Sequence, residues 1–178
     1  MLLLVLSCCV ILLSQAAAAQ ALKGIKLEKP DNPVVKLTTE AGELVIELFP
    51  DVAPKHVESF LTLSAKGFYN GLIFHRVVPG FVIQGGDPSG NGTGGPGYNL
   101  PAEFNARKHV KGTLAAARSM EKNSAGSQFY VCLDAIPHLD NNYTVFGQVI
   151  KGIDIPEKVK QGDKMTIEIL QNAPAKKS

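Results

Sequence analysis

Residues 74–87 read FHRVVPGFVIQGGD, and this stretch says more about the fold than any other part of the chain. Two short apolar runs flank a Pro-Gly pair, which predicts a tight turn between two strands. Because side chains two apart share one face of a strand, Arg76, Phe81 and Gln84 are expected to converge on one concave surface. A cation, an apolar ring and a neutral amide suit peptide binding better than hydrolysis. An ordinary hairpin with a surface arginine fits the same three residues, so both interpretations remain open from this stretch alone.

Length and composition indicate one globular domain. The chain has 178 residues, of which 45% are hydrophobic and 19% are charged, so it is long enough to bury a core. The formal net charge is only +2, and the one basic cluster is Lys176-Lys177 near the C-terminus. Nucleic-acid binding requires a concentrated basic surface, so nucleic acid is not an expected partner.

The N-terminus has the pattern of an export signal. The first 22 residues carry no charge; a nearly continuous apolar run from Leu2 to Leu13 precedes small residues at 16–21. This order predicts a signal peptide at 1–21, cleaved after Ala19 or Ala21, and an exported protein that is periplasmic or secreted. No lysine or arginine precedes the apolar run, and about 20 apolar residues can span a bilayer. An uncleaved membrane anchor is therefore the alternative.

The rest of the sequence predicts a linker at 22–33, a folded domain at 34–171 and a flexible tail at 172–178. Alternating apolar and polar residues at 34–49 predict a hairpin. Pro54 and Gly67 bound a predicted helix. Further strands are expected at 112–117, 128–133, 144–149 and 165–171, with a short helical piece at 156–161. Many short strands and few helices predict a mainly β fold, a closed antiparallel barrel with helices over its ends.

Other catalytic chemistries lack the residues that they need. Cys132 is the one cysteine left after signal removal; in an apolar run it is expected to be a core residue rather than a catalytic thiol. Ser127 has no local histidine or aspartate partner, and the spacing of the histidines does not suit zinc. His56 is expected on the solvated face of the helix, His75 as a packing or hydrogen-bonding residue rather than a catalyst, and His109 in a loop. No metal or cofactor is expected.

Four motifs, in order, resemble those of the cyclophilin-type peptidyl-prolyl isomerases. They are FHRVVPGFVIQGGD at 74–87, NGTGG at 91–95, NSAGSQFY at 123–130, and LD at 139–140 with VFG at 145–147. The similarity covers roughly residues 34–170. The loop at 117–126 and Tyr143 resemble the bacterial-type branch of the family.

The resemblance implies an eight-stranded barrel capped by two α-helices, with a substrate groove on its outer face. It implies that Arg76, Phe81 and Gln84 are the catalytic residues. Substrate-binding residues expected in the groove are Ala117, Arg118, Gln128, Tyr130, His138, Leu139 and Tyr143. Among them Tyr130 and Leu139, with Phe81, resemble the walls of a proline pocket. The amides of Gln84 and Gln128 resemble the groups that fix the peptide, and the backbone at 117–118 resembles the strip that binds the extended chain.

Three positions depart from the pattern of many members of that family. His138 stands where eukaryotic members often have tryptophan, Tyr143 where they have histidine, and Val82 where methionine is common. The family's tryptophan is associated with tight binding of the cyclic peptide cyclosporin. These departures put inhibitor sensitivity and groove shape in question more than the reaction, and they predict weak cyclosporin binding.

The residues suit a reaction that breaks no covalent bond. Rotation about a peptide bond has a barrier of about 18–20 kcal/mol because resonance gives the C–N bond double-bond character, and exchange before proline is slow. A fixed guanidinium such as that of Arg76 can donate to the prolyl nitrogen as its lone pair localises in the twisted state. Catalysis of X-Pro isomerisation by this arginine is therefore the predicted reaction.

The expected biological function is isomerisation in the folding of exported proteins, with proline-containing segments as partners and a monomer as the working form. The alternative is a chaperone or scaffold that binds proline segments in the same groove with little catalysis. A third hypothesis is that the glycosylation sequons at 91–93 and 142–144 matter for function. It applies only in a eukaryotic secretory pathway.

Overall fold

The computed structural model describes residue 18 and residues 20–172. Nearly all of the predicted signal or anchor segment, and the predicted tail beyond residue 172, lie outside the described residues. Within the described part of the chain, no helix has the length and apolar character needed to cross a membrane.

Eight strands form one antiparallel sheet. They are β1 (Val34–Thr39), β2 (Gly42–Leu48), β3 (Arg76–Val78), β4 (Val82–Gly85), β5 (Thr113–Ala116), β6 (Phe129–Cys132), β7 (Val145–Lys151) and β8 (Met165–Gln171). Their order across the sheet is β3-β4-β6-β5-β7-β2-β1-β8. The mainly β prediction is confirmed, and the strands lie where the alternating pattern places them.

The sheet curls so that its two outer strands, β3 and β8, approach each other. An isolated antiparallel bridge joins Ile73 to Lys164, just before these strands begin. The backbone N–H of Phe74 donates to the Asp163 carbonyl at 3.0 Å, and that of Met165 to the Leu72 carbonyl at 2.9 Å. The paired strands of the described residues thus form a curled half-barrel. Full closure into a barrel stays a prediction.

One α-helix, α1 (Pro54–Ala65), packs against the sheet. Proline in its first turn fits, since the N–H that proline lacks would have no helical partner there. Its next two N–H groups, of Lys55 and His56, each donate to the Glu103 carboxylate at 3.0 Å. The helical piece predicted at 156–161 is a 3-10 turn, Pro156–Lys158, and a second 3-10 turn spans Pro137–Leu139.

The prediction of a solvated His56 is wrong. The residue is only 3% exposed, and its Nδ1 lies 2.6 Å from a Glu103 carboxylate oxygen. The physical reason is that the loop carrying Glu103 folds over the start of α1 and covers this face of the helix. Burial lowers the pKa of His56 despite the opposing effect of the Glu103 carboxylate.

The core between α1 and the sheet is centred on aromatic rings. The Phe60 ring of α1 lies 5.1 Å from Tyr69, 5.5 Å from Phe129 and 5.4 Å from Phe146. Such tilted and edge-on pairs stabilise a core beyond their buried area. Because Phe129 belongs to β6, this cluster fixes the strand that carries the next residue, Tyr130, to the opposite face.

The predicted linker lies along the domain rather than away from it. The Glu47 side chain on β2 is buried and accepts the backbone N–H groups of Glu28 and Lys29 at 2.9–3.2 Å, as well as the Asn32 amide at 2.8 Å. An unpaired buried carboxylate is costly, so these donors account for the placement of Glu47 inside. Residues 28–32 are thereby held to the sheet.

Candidate active site

A second apolar cluster lies on the outer face of the sheet. Its buried members are Val82, Ala115, Tyr130, Cys132, Ile136 and Val145, and Phe81, Ala117, Leu139 and Tyr143 pack against it. Cys132 is 1% exposed, and burial raises the pKa of its thiol to about 12. The prediction that this cysteine is a core residue is confirmed.

A small open cavity of about 170 Å³ lies over this cluster. Its lining includes Phe81, Tyr130 and Leu139, the three residues expected to form the walls of a proline pocket. The other lining residues are Arg76, Val82, Gln84, Ala117, Arg118 and Tyr143. The structure therefore brings together residues that lie up to 67 positions apart in the sequence, from 76 to 143.

A chain of hydrogen bonds runs along one side of the cavity. Arg76 and Gln84 are paired across β3 and β4, and Arg76 Nη1 donates to Gln84 Oε1 at 3.4 Å. Gln84 Nε2 donates to Gln128 Oε1 at 3.1 Å. The convergence predicted for Arg76, Phe81 and Gln84 is confirmed, with the Arg76 guanidinium 5.6 Å from the centre of the Phe81 ring. The arginine remains exposed to solvent.

The glycine-rich loop lies beside these hydrogen-bonded side chains and is held by a buried carboxylate. The sequence interpretation did not identify this carboxylate. Asp87 is 1% exposed and accepts the backbone N–H groups of Ser89, Asn91 and Gly92. Burial opposes the charge, but these three donors hold the pKa of Asp87 below its usual range. The Gln128 amide donates to the carbonyls of Gly92 and Gly94, at 3.0 and 2.9 Å. The signal in the sequence that could have identified Asp87 was its position directly after Gly85-Gly86.

The opposite side of the cavity rests on a buried polar network. The Tyr130 hydroxyl lies 3.0 Å from His109 Nε2, and His109 Nδ1 lies 3.0 Å from Asp140 Oδ1. Because the carboxylate accepts, Nδ1 carries the proton and Nε2 accepts from the tyrosine. Lys108 Nζ completes the network 3.1 Å from Asp140 Oδ2.

The charge states of this network follow from burial and hydrogen bonding. His109 is 1% exposed, and burial lowers its pKa although Asp140 opposes the shift. The backbone N–H of His109 also donates to Asp140, and this bond does most to lower the pKa of Asp140 to about 2. A neutral imidazole between an ionised carboxylate and a phenol results. Sequence interpretation placed His109 in a loop without a role, because its partner Asp140 is 31 residues away.

Arg118 also lines this cavity and is held by backbone carbonyls. Its Nε and Nη2 donate to the Asn142 carbonyl at 3.0 and 2.8 Å, and its guanidinium lies 4.6 Å from the centre of the Tyr143 ring. Beside it opens a larger cleft of about 710 Å³, bordered by the glycine-rich loop at 92–99 and by residues 117–119. An extended chain leaving the cavity has room there.

His138 does not line the cavity. It sits exposed on the 3-10 turn Pro137–Leu139, and its ring stacks on the outer side of Phe81 with centroids 6.0 Å apart and planes 2° apart. Its contact with the groove is thus through a wall residue. Both ring nitrogens of His75 are buried and have no hydrogen-bond partner among the described atoms, which fits the packing role predicted for this residue rather than the hydrogen-bonding role.

Among the described residues, no group of three or more histidine, cysteine, aspartate or glutamate side chains is placed to hold a metal ion.

Comparison with known proteins agrees with this geometry. The model of the family "cyclophilin type peptidyl-prolyl cis-trans isomerase" matches residues 34–177. A peptidyl-prolyl cis-trans isomerase of Synechococcus elongatus is 44% identical over 140 residues, covering 77% of this chain and 96% of that protein. Another, from Helicobacter pylori, is 46% identical over 131 residues, covering 71% and 80%.

A solved structure of a Cryptosporidium parvum cyclophilin-type isomerase, obtained in the presence of the dipeptide Ala-Pro, is also similar. It superimposes with a TM-score of 0.70 at 33% identity, covering 76% of this chain and 98% of that one.

Proposed function

Because the chain belongs to the cyclophilin-type peptidyl-prolyl cis-trans isomerase family and is thus an isomerase, we propose that it acts on X-Pro bonds by arginine-assisted twisting, with Arg76 as the donor. The observation that supports this proposal most directly is the location of the Arg76 guanidinium and the small number of hydrogen bonds that it makes. It lies at the mouth of the apolar cavity and, among the described residues, makes one side-chain hydrogen bond, at 3.4 Å. Most of its five N–H groups are therefore free for a substrate.

The chemistry requires a donor that acts only when the bond twists. In the planar peptide the nitrogen lone pair is delocalised, whereas in the twisted state it becomes a localised acceptor. A guanidinium aimed at that nitrogen stabilises the twisted state more than the planar one, which lowers the barrier. The fixed charge of arginine suits this role because it does not depend on pH.

The neighbouring residues hold the two ends of the rotating bond. Phe81, Tyr130 and Leu139 enclose the proline ring. Gln84 keeps the Arg76 side chain over the cavity and, with Gln128, offers amide groups to the substrate backbone. The strip at 117–118 lies between the cavity and the larger cleft, where the extended chain would bind. The relative solved in the presence of Ala-Pro supports a proline-containing ligand.

We further propose that the clients are exported proteins and that the protein works as a monomer in the periplasm or outside the cell. The uncharged apolar N-terminal segment supports export. N-terminal sequencing of the protein recovered from each cell fraction tests this. A mature chain beginning at Gln20 or Leu22 in a non-cytoplasmic fraction is expected. An intact N-terminus in the membrane fraction would instead identify an anchor.

The sheet is also proposed to close into an eight-stranded barrel through the Ile73–Lys164 bridge. Slow hydrogen exchange of the Phe74 and Met165 amides, which donate across this seam, is expected if the seam is stable. Exchange of both at loop-like rates would show an open edge.

Substitution of Arg76 tests the proposed mechanism. In a coupled assay on an X-Pro peptide, Arg76→Ala should lower kcat/KM at least tenfold, equivalent to about 1.4 kcal/mol of transition-state stabilisation. Arg76→Lys should also be poor, since an ammonium lacks the planar fork. The fold should persist because the side chain is exposed.

The control is Lys151→Gln, which removes a positive charge from an exposed position at the end of β7. It should leave kcat/KM unchanged. Equal kcat/KM of wild type and Arg76→Ala would show that the isomerase does not use this arginine as its donor, whereas no turnover by either protein would favour a proline-segment-binding chaperone or scaffold.

A further inference from the structure

Arg118 occupies a position that no other described residue shares. Three depressions meet around it: the cavity of about 170 Å³, the cleft of about 710 Å³, and a shallow surface bordered by Ser119, Met120 and Tyr143. Arg118 alone lines all three. A peptide with its proline in the cavity passes this guanidinium whichever neighbouring depression its chain enters.

The Arg118 guanidinium is held in place by hydrogen bonds that do not neutralise its charge. Four hydrogen bonds hold it, two to the Asn142 carbonyl and two from Nη1 to the carbonyls of Ser119 and Met120 at 2.8 and 3.3 Å. All three acceptor carbonyls are neutral. The Tyr143 ring covers one face, which favours the cation. One of the five N–H groups remains for a ligand.

No carboxylate offsets this charge among the described ion pairs. Neither Arg76 nor Arg118 takes part in one, whereas Arg107 pairs with Glu28. Asp140, which follows the wall residue Leu139 in the sequence, is itself engaged by Lys108 and His109. The proline cavity is therefore flanked by two guanidinium groups whose charges are not neutralised by the protein.

We propose that Arg118 makes this isomerase selective for prolines that have an acidic residue as a direct neighbour in the chain. The inference rests on the proposed placement of proline in the small cavity. A glutamate or aspartate beside the proline comes within reach of the free N–H of a rigid guanidinium, so little side-chain entropy is lost on the protein's side. A lysine in the same place is repelled.

The test uses three matched peptides with Glu, Gln or Lys beside the proline, made once with the variable residue before it and once after it. For wild type, kcat/KM should be about fivefold higher with Glu than with Lys at one of these positions, the scale of a solvent-exposed ion pair. Arg118→Gln should reduce that ratio to about one. Lys151→Gln, which removes a positive charge from the far end of β7, should keep it.

Salt gives a second measurement that needs no variant. At about 1 M ionic strength the Debye length is about 3 Å, so the preference of wild type should largely disappear. Good turnover of the Gln peptide with equal rates for Glu and Lys would overturn the selectivity while leaving the isomerase intact. A preference that survives about 1 M salt, or that persists in a folded Arg118→Gln protein, would also overturn it. Failure to turn over any of the peptides would count against the proposed function itself.

Discussion

The two sides of the small cavity in which proline is proposed to bind differ in burial and hydrogen bonding. On the side of Arg76, the polar groups are partly exposed and linked by hydrogen bonds of 3.4 and 3.1 Å through Gln84. On the side of Tyr130, the polar groups are buried, and the links through His109 are both 3.0 Å. The first side keeps donors free for a substrate. The second satisfies its donors and acceptors internally, because an unpaired polar group in such a place is costly.

Because of this difference, substitutions on the two sides are expected to affect different properties, the rate of isomerisation on one side and the stability of the fold on the other. Changes at Arg76 should alter the rate of isomerisation with little effect on stability. Changes in the network beneath Tyr130 should alter stability with little effect on the rate, provided that the ring stays in place.

The largest stability change is expected from His109→Leu. The substitution removes the acceptor of the Tyr130 hydroxyl and the side-chain donor to Asp140, and it leaves the buried hydroxyl unpaired. We expect a loss of about 3 kcal/mol in the free energy of unfolding, from one bond to a charged group and one orphaned hydroxyl. Urea denaturation measures it. A loss below about 1 kcal/mol would show that the buried side is no more constrained than the exposed one.

A smaller effect, on ligand binding, is expected from His138→Trp. Cyclosporin should bind the wild type weakly, because the exposed imidazole offers little apolar area beyond its stack on Phe81. An indole should strengthen binding by about 2 kcal/mol, while kcat/KM for a short X-Pro peptide changes little. Titration of both proteins with the drug decides this. Nanomolar binding by wild type would show that tight binding does not need an indole at position 138, and no gain in the variant would show that this position does not contact the drug.

Tyr130→Phe should cost less than His109→Leu because the wall ring remains. The lost hydrogen bond and the unpaired His109 Nε2 should lower the free energy of unfolding by about 1–2 kcal/mol. The expected kcat/KM stays within about threefold of wild type. A tenfold fall in a folded Tyr130→Phe protein would show that the hydroxyl takes part in the reaction, and the division between the two sides would fail.

The smallest effect concerns pH. Burial holds the folded-state pKa of His109 below the ordinary histidine value of about 6.5, so the unfolded chain binds the proton more readily. Stability from this group is therefore complete above about pH 6.5 and is lost as pH falls towards the folded pKa, by at most about 1.4 kcal/mol per pH unit. The stability gap between wild type and His109→Leu should narrow between pH 7 and pH 5. A gap that widened in this range would reverse the assigned sign. His56 and His75 shift in the same direction but are present in both proteins.

The features of the fold that depend on local sequence patterns could be predicted from the sequence. Alternation at 34–48 and the Pro-Gly pair at 79–80 were enough to place the first hairpin and the one that carries Arg76 and Gln84. Four ordered motifs were enough to identify the family. Features that depend on distant partners were missed or misplaced. His56 is buried because Glu103, 47 residues away, covers it.

The side chain of Arg118 illustrates the same limit. The sequence predicted that the backbone at Arg118 belongs to the strip that binds the extended chain. The role of its guanidinium depends instead on the carbonyls of residues 119, 120 and 142. A hydrogen bond to a backbone carbonyl is nearly independent of residue type, so no sequence pattern marks it.

The most direct test of the account separates binding from catalysis at Arg76. Exchange NMR on an X-Pro peptide, with wild type and with Arg76→Ala, gives both the dissociation constant and the rate of cis/trans interconversion of the bound peptide. We expect Arg76→Ala to lower the bound-state rate at least tenfold while the dissociation constant changes by less than about threefold, since the apolar walls remain. An unchanged bound-state rate with weaker binding would contradict it, because Arg76 would then hold the substrate rather than stabilise the twisted bond.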